Sequence, residues 1–191
     1  MLGFTAARCV LVLHTALGVS AVAAGTHLVI WLRRYLRGAA GRRRAVLKFA
    51  WIFFALQLCA FVAGNLMYPT YKVEVRTAYL ENVPAFTAQA ELHAKAVTDL
   101  EAKFGEARET PATDDLVKRA AKAARFFDIK EHWIALGLFV SGALLLLLVM
   151  WDPYRDGLAL APIAMGFAIL ACGTVWLGAI IGVLTAAWRA V

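Results

Sequence analysis

Histidines are the residues whose placement in this 191-residue chain could support chemistry. His14 and His27 lie in the apolar stretch Leu13–Trp31, where a buried imidazole needs a hydrogen-bond partner or a metal. His132 opens a later apolar segment. If the helices that carry His14 and His132 start on the same side of a membrane, the two imidazoles lie at similar depths, as bis-histidine ligation of haem requires. The sequence therefore predicts His14 and His132 as the metal ligands of one haem b.

Small residues follow His14 along the same predicted helix. Gly18, Ala21 and Gly25 stand four, seven and eleven residues after it, which places all four on one helix face. Such a face leaves room for a flat porphyrin, so these three residues are predicted to bind the cofactor. The alternative is a packing seam against a neighbouring helix, because small residues let membrane helices approach closely.

The two remaining histidines, His27 and His93, are expected to have mainly structural roles. His27 lies thirteen residues after His14, on a different side of the helix, so the two cannot share a ligand. Its position near Trp31 and the following arginines is typical of an amphipathic ring at a membrane interface. His93 interrupts the apolar stripe of a predicted amphipathic helix, either as a hydrogen-bonded core residue or as a ligand.

The elements that would hold these residues are predicted from hydropathy. The chain is 62% hydrophobic and 17% charged, which is more apolar than an ordinary soluble domain. Four apolar segments, near 5–32, 45–68, 130–151 and 158–187, each reach the roughly 20 residues that cross a bilayer as a helix. We expect an all-α integral membrane protein with a four-transmembrane-helix bundle.

The polar segment between the second and third spans is predicted to be an extramembrane helical hairpin. Pro69 is expected to end the second span, and a helix is expected to start near Asn82. A second helix, capped by Thr110 or Thr113, is expected to run into the third span without a break. The predicted packing stripe of the first helix comprises Phe86, Ala90, His93, Val97, Leu100 and Phe104. The predicted organisation is thus a transmembrane hairpin over 1–68, the extracytoplasmic hairpin over 69–129, and a second transmembrane hairpin over 130–191.

Charge predicts the orientation. Residues 33–48 hold seven Lys/Arg and no acid, whereas residues 69–131 hold ten Lys/Arg against eleven Asp/Glu. Because short loops rich in Lys/Arg remain cytoplasmic, both termini are expected to be extracytoplasmic. The Ala- and Arg-rich composition favours a bacterial plasma membrane, and the charge distribution argues against a nucleic-acid partner.

Two functions fit this pattern. The first is a haem b-binding subunit that transfers electrons near the outer leaflet in a respiratory-type complex. The second is a cofactor-free accessory or assembly subunit of a larger membrane complex. The expected partners are the lipid bilayer and other membrane subunits. At the outer interface, the cluster of Tyr68, Tyr71, Lys72 and Arg76 is expected either to anchor the chain or to form a pocket for a quinone or an anionic headgroup. Motifs typical of nucleotide-binding, zinc-hydrolase or serine-hydrolase enzymes are missing from the sequence, so no catalytic residue is predicted.

Overall fold

The computed structural model of this chain describes residues 4–73, 76–77, 82–105 and 113–189. The regular structure of these residues is helical, which confirms the predicted all-α class. The long helices are α1 (Phe4–Leu36), α2 (Arg43–Tyr71), α3 (Val83–Phe104), α4 (Thr113–Met150) and α6 (Ala161–Arg189); a 3₁₀ turn, Ala40–Arg42, and a short helix, α5 (Pro153–Asp156), complete the order.

Within the described residues, four helical stretches are long and apolar enough to cross a membrane. They are Thr5–Leu36, Ala40–Tyr71, Ala120–Met150 and Ala161–Thr185. The prediction that Pro69 ends the second span is wrong, because α2 continues through Pro69 to Tyr71. Pro69 stands two residues before the end of the helix, so its missing N–H removes one hydrogen bond near a terminus and does not interrupt the helix interior.

The chain divides into two compact units. The described residues of the first unit, called here the insert unit, lie within Tyr68–Asp128; those of the second, the bundle unit, lie in 4–67 and 129–189. In the bundle unit α1 packs against α6. Its core combines small and large apolar side chains, among them Ala21, Leu28, Leu32, Phe53, Leu144, Leu148, Ala164, Ala168 and Ala171. The alanines of α6 recur every three or four residues, so they present one small-residue face to the core.

Side chains of neighbouring helices pack directly against glycines in the bundle unit. A Cβ atom on Gly25 would lie 2.6 Å from the Phe53 ring, and one on Gly178 would lie 2.5 Å from Cδ1 of Ile134. The same relation pairs Gly142 with Phe54, Gly137 with Thr174 and Gly64 with His14. Carbon atoms in contact normally stand about 3.5–4.0 Å apart, so the helices pack this closely only because these positions lack a side chain.

A polar contact also joins α2 to α4 inside the bundle unit. Gln57 is 3% exposed, and the hydroxyl of Ser141 donates a hydrogen bond of 2.8 Å to its Oε1. Buried polar side chains in an apolar bundle need such partners. Asn65 instead donates to the carbonyl of Phe61 in its own helix.

The insert unit contains α3 and the first part of α4. Ala120, Ala123 and Ala124 of α4 are buried there, whereas Leu100 and Phe104 of α3 are 53% and 68% exposed. The prediction that the α3 stripe is a packing face of this chain is therefore wrong at these two residues. The helical period was correct, but a period does not show whether a face meets a partner in the same chain. The side chains of Phe86 and His93 lie outside the described residues.

Candidate functional site

His14 is held between α1 and α2 of the bundle unit. Its ring is half-buried, and Nδ1 donates a hydrogen bond of 2.9 Å to the carbonyl oxygen of Ala60. A Cβ atom on Gly64 would lie 3.2 Å from Cε1 of the ring, so the glycine makes room for the imidazole. With Nδ1 carrying the proton, Nε2 keeps a lone pair that can accept a hydrogen bond or bind a metal.

The small-residue face of α1 has different surroundings along its length. Ala21 is 1% exposed, and Phe53 of α2 covers Gly25. Gly18 is half-buried, and nothing lies within 4 Å of the position that its Cβ would take. At Ala21 and Gly25 the face is therefore packed by protein, whereas space remains at Gly18, one helical turn from His14.

His132 lies on an exposed face of α4. Leu136, Phe139, Leu146 and Met150 continue this face at intervals of three, four or seven residues and are 44–83% exposed. On the opposite side of the helix, Ile134 contacts Gly178 of α6. His14 packs against α2, whereas the side chain of His132 is exposed. Their ligation of one haem iron stays a prediction.

Lys130 packs against α6 in the bundle unit, which sequence reasoning missed. Lys130 is half-buried, and its ammonium group lies 3.5 Å from the position of a Cβ on Gly182. The spacing of Lys130, Ile134, Gly137 and Ser141, at four, three and four residues, could have indicated that Lys130 faces inward. The ammonium group of Lys130 thus lies against another helix inside the bundle unit. Ionisable side chains in such a setting are candidates for function.

The turn between α4 and α6 holds a second polar cluster, centred on Asp152. The hydroxyl of Tyr35 donates to Oδ1 of Asp152 over 2.8 Å, and the Tyr154 backbone N–H donates to the same oxygen over 3.0 Å. Arg43 Nε lies 2.9 Å from Oδ2, out of line for a hydrogen bond, so this contact is an ion pair. The Tyr154 hydroxyl donates to the carbonyl of Tyr35. Asp152 therefore ties the end of α1 and the start of α2 to α5.

Electrostatics of this cluster favour the ionised carboxylate. The N–H of Tyr154, the Tyr35 hydroxyl and the positive charges of Arg43 and Arg155 hold the pKa of Asp152 below its ordinary value, against the opposing effect of its partial burial. The sequence carried a signal for the local part of this site, because aspartate followed by proline is typical of a helix N-cap with proline in the first turn. The partners Tyr35 and Arg43 stand more than 100 residues away in sequence, and no local pattern predicted them.

His27 has a structural explanation. Its Nδ1 donates to the carbonyl oxygen of Ala23 over 2.9 Å, and its ring stacks on Phe49 with centroids 5.7 Å apart. The ring is exposed, as an interfacial residue would be. These contacts give the His27 ring a structural role that requires no bound ligand.

In the part of the chain that the structure describes, no group of three or more His, Cys, Asp or Glu side chains could hold a metal ion. A haem iron needs only two protein ligands, so this finding does not bear on haem. The chain matches no protein-family model, no curated protein and no solved structure.

Proposed function

We propose that this chain is a multi-pass membrane protein that serves as an accessory or assembly subunit of a larger membrane complex. Four apolar helices long enough to span a bilayer support the membrane location. The basic segment 33–48 is cytoplasmic in this proposal, and both termini are extracytoplasmic, in a bacterial plasma membrane. Single cysteines at Gly41 and Ala102, in a chain whose own Cys9, Cys59 and Cys172 are replaced by alanine, test the orientation, since a membrane-impermeant thiol reagent should label only the second from outside.

The observation that carries the proposed function is the exposed apolar face of α3. Leu92, Leu100 and Phe104, at 69%, 53% and 68% exposed, follow one another at intervals of eight and four residues and so share one side of the helix. The α3 helix is outside the four candidate spans, so lipid is not the expected cover for these side chains. Contiguous exposed apolar side chains on a helix outside the membrane are typical of a protein–protein interface.

Blue-native electrophoresis of gently solubilised membranes tests this function. The wild-type chain should migrate in a complex much heavier than its 20.8 kDa. Leu100→Asp should shift it to a lighter species, because the charge enters the proposed interface. Thr98→Asp is the matched control: it adds the same charge to an exposed residue about 200° away around the helix. A wild-type chain that migrates alone, or equal effects of both variants, would contradict the proposal.

Haem b binding is the second candidate function, and one observation favours it. Histidines that bind a metal usually donate their other ring N–H to a carbonyl or carboxylate, as His14 does toward Ala60. The free space at Gly18 is also compatible with a porphyrin edge. The fit is partial, because Phe53 fills the face at Gly25 and His132 lies on an exposed face.

An absorption spectrum separates the two functions. A haem b subunit purified from cells supplied with haem should show a Soret band with resolved alpha and beta bands on reduction, and His14→Ala should remove them. His27→Ala is the matched histidine control, since its ring nitrogen is bonded within its own helix. A folded but colourless wild-type preparation would refute haem binding and leave the accessory function as it stands.

A further inference from the structure

We propose that the α1–α2 turn is a binding site for the phosphodiester headgroup of an acidic phospholipid, formed by Arg34 and Arg42 around Trp31. The guanidinium carbon of Arg42 lies 4.3 Å from the centre of the indole ring, and that of Arg34 lies 5.7 Å from it. Both distances are within the range of a cation–π interaction. Trp31 is half-buried, so it holds the two exposed guanidinium groups in a defined place.

The backbone brings these groups together from different elements. Arg34 belongs to the last turn of α1, and Arg42 ends the 3₁₀ turn that precedes α2. Between them the chain reverses direction at Gly38, whose φ of 116° is in the region that favours glycine. Two planar guanidinium groups, each able to donate a pair of parallel hydrogen bonds, suit the oxygens of a phosphate.

The positive charge of the surrounding segment attracts anions. Seven Lys/Arg lie within residues 33–48 without an acidic residue among them. Arg43 is already paired with a carboxylate of this chain, that of Asp152. Arg33, Arg34, Arg37, Arg42, Arg44 and Lys48 are exposed. Their mutual repulsion is relieved by a bound phosphate, and clusters of four to eight basic residues beside a membrane helix attract anionic lipids.

Apolar surface beside the turn favours a lipid over free phosphate. Ile30 of α1 is 45% exposed, and Trp51 and Ile52 of α2 are 56% and 37% exposed. These side chains lie in the candidate spans that adjoin the turn, where acyl chains of a lipid would contact them. A headgroup on the arginines and acyl chains on this apolar surface together match an acidic phospholipid.

Native mass spectrometry and thermal unfolding of the full chain test this site. The chain is measured in nanodiscs of phosphatidylcholine, with and without phosphatidylglycerol. Arg42→Lys keeps the positive charge but loses the planar group over Trp31. We expect it to bind phosphatidylglycerol roughly two- to fivefold more weakly than wild type, because an ammonium group cannot donate a pair of parallel hydrogen bonds to the phosphate. Arg44→Lys is the matched control, because Arg44 is an exposed neighbour in the same segment.

The outcomes are distinct. The proposal predicts that phosphatidylglycerol raises the unfolding temperature of wild type and Arg44→Lys more than that of Arg42→Lys, and that inorganic phosphate does not replace it. Equal binding by all three proteins would overturn the proposal, since charge alone would then explain the attraction. Stabilisation by inorganic phosphate, or no response to phosphatidylglycerol, would overturn it as well. Counting bound lipids by mass keeps the test valid even where a variant unfolds more easily.

Discussion

Replacing Gly25 by alanine tests whether the α1 face that carries His14 is packed by α2. A Cβ atom at residue 25 would lie 2.6 Å from Cε2 and 3.0 Å from Cζ of Phe53, whereas carbon atoms in contact stand about 3.5–4.0 Å apart. The Phe53 ring is 1% exposed and belongs to the core, so it cannot move without displacing other core side chains. Gly18 is the matched control, because it lies on the same face with nothing within 4 Å of its Cβ position.

The expected magnitudes follow from two opposing effects. Overpacking a core costs about 1–3 kcal/mol, and alanine is favoured over glycine inside a helix by about 1 kcal/mol. Gly25→Ala should therefore lower the free energy of unfolding by about 0–2 kcal/mol. Gly18→Ala should raise it by up to about 1 kcal/mol. The difference between the two variants, about 1–3 kcal/mol, measures the overpacking itself.

Equilibrium unfolding of the full chain in mixed micelles, followed by circular dichroism, gives these free energies. A Phe53→Leu background removes the outer ring atoms, so the difference between the two alanine variants should shrink there. If Gly25→Ala and Gly18→Ala are equally stable in the wild-type background, Phe53 does not pack on Gly25. The interpretation of this part of the face as a helix-packing seam would then be refuted.

Two further predictions concern the turn and the insert unit. Because the folded pKa of Asp152 is depressed, its ion pair with Arg43 stabilises the fold above the ordinary aspartate pKa of about 4 and loses this effect as the pH falls through the folded pKa. As the pH falls from neutral to acidic, the unfolding temperature of wild type should therefore decrease more than that of Asp152→Asn. An equal decrease in both proteins would exclude this carboxylate as the cause. In the insert unit, Leu100→Asp should change stability by less than about 0.5 kcal/mol because the side chain is 53% exposed. Ala120→Asp, at a residue that is 1% exposed, should lower the free energy of unfolding by about 2 kcal/mol or more. Hydrogen exchange of α3 and α4 measures both losses of stability, and a larger loss in Leu100→Asp than in Ala120→Asp would contradict the prediction.

Sequence reasoning predicted the helices better than their contacts. Apolar length alone predicts the four candidate spans, because a run of about 20 apolar residues has few other stable structures. The same reasoning could not assign the rotation of α4, which decides that Lys130 faces the bundle and His132 an exposed surface. Contacts between distant residues, such as His14 with Ala60 and Asp152 with Tyr35, depend on how the helices pack. Local periodicity carries no information about that packing.

The pairing of glycines with bulky side chains has a consequence for how this chain can change over evolutionary time. In each pair, such as Gly25 with Phe53 or Gly178 with Ile134, the large side chain of one helix fills the space that a side chain at the glycine of the other helix would need. A mutation that enlarges one partner becomes acceptable only after the other has become smaller, so the order of the two changes matters. Descendants of this sequence should therefore exchange large and small residues across these pairs in a correlated way, while exposed residues such as Phe139 drift independently.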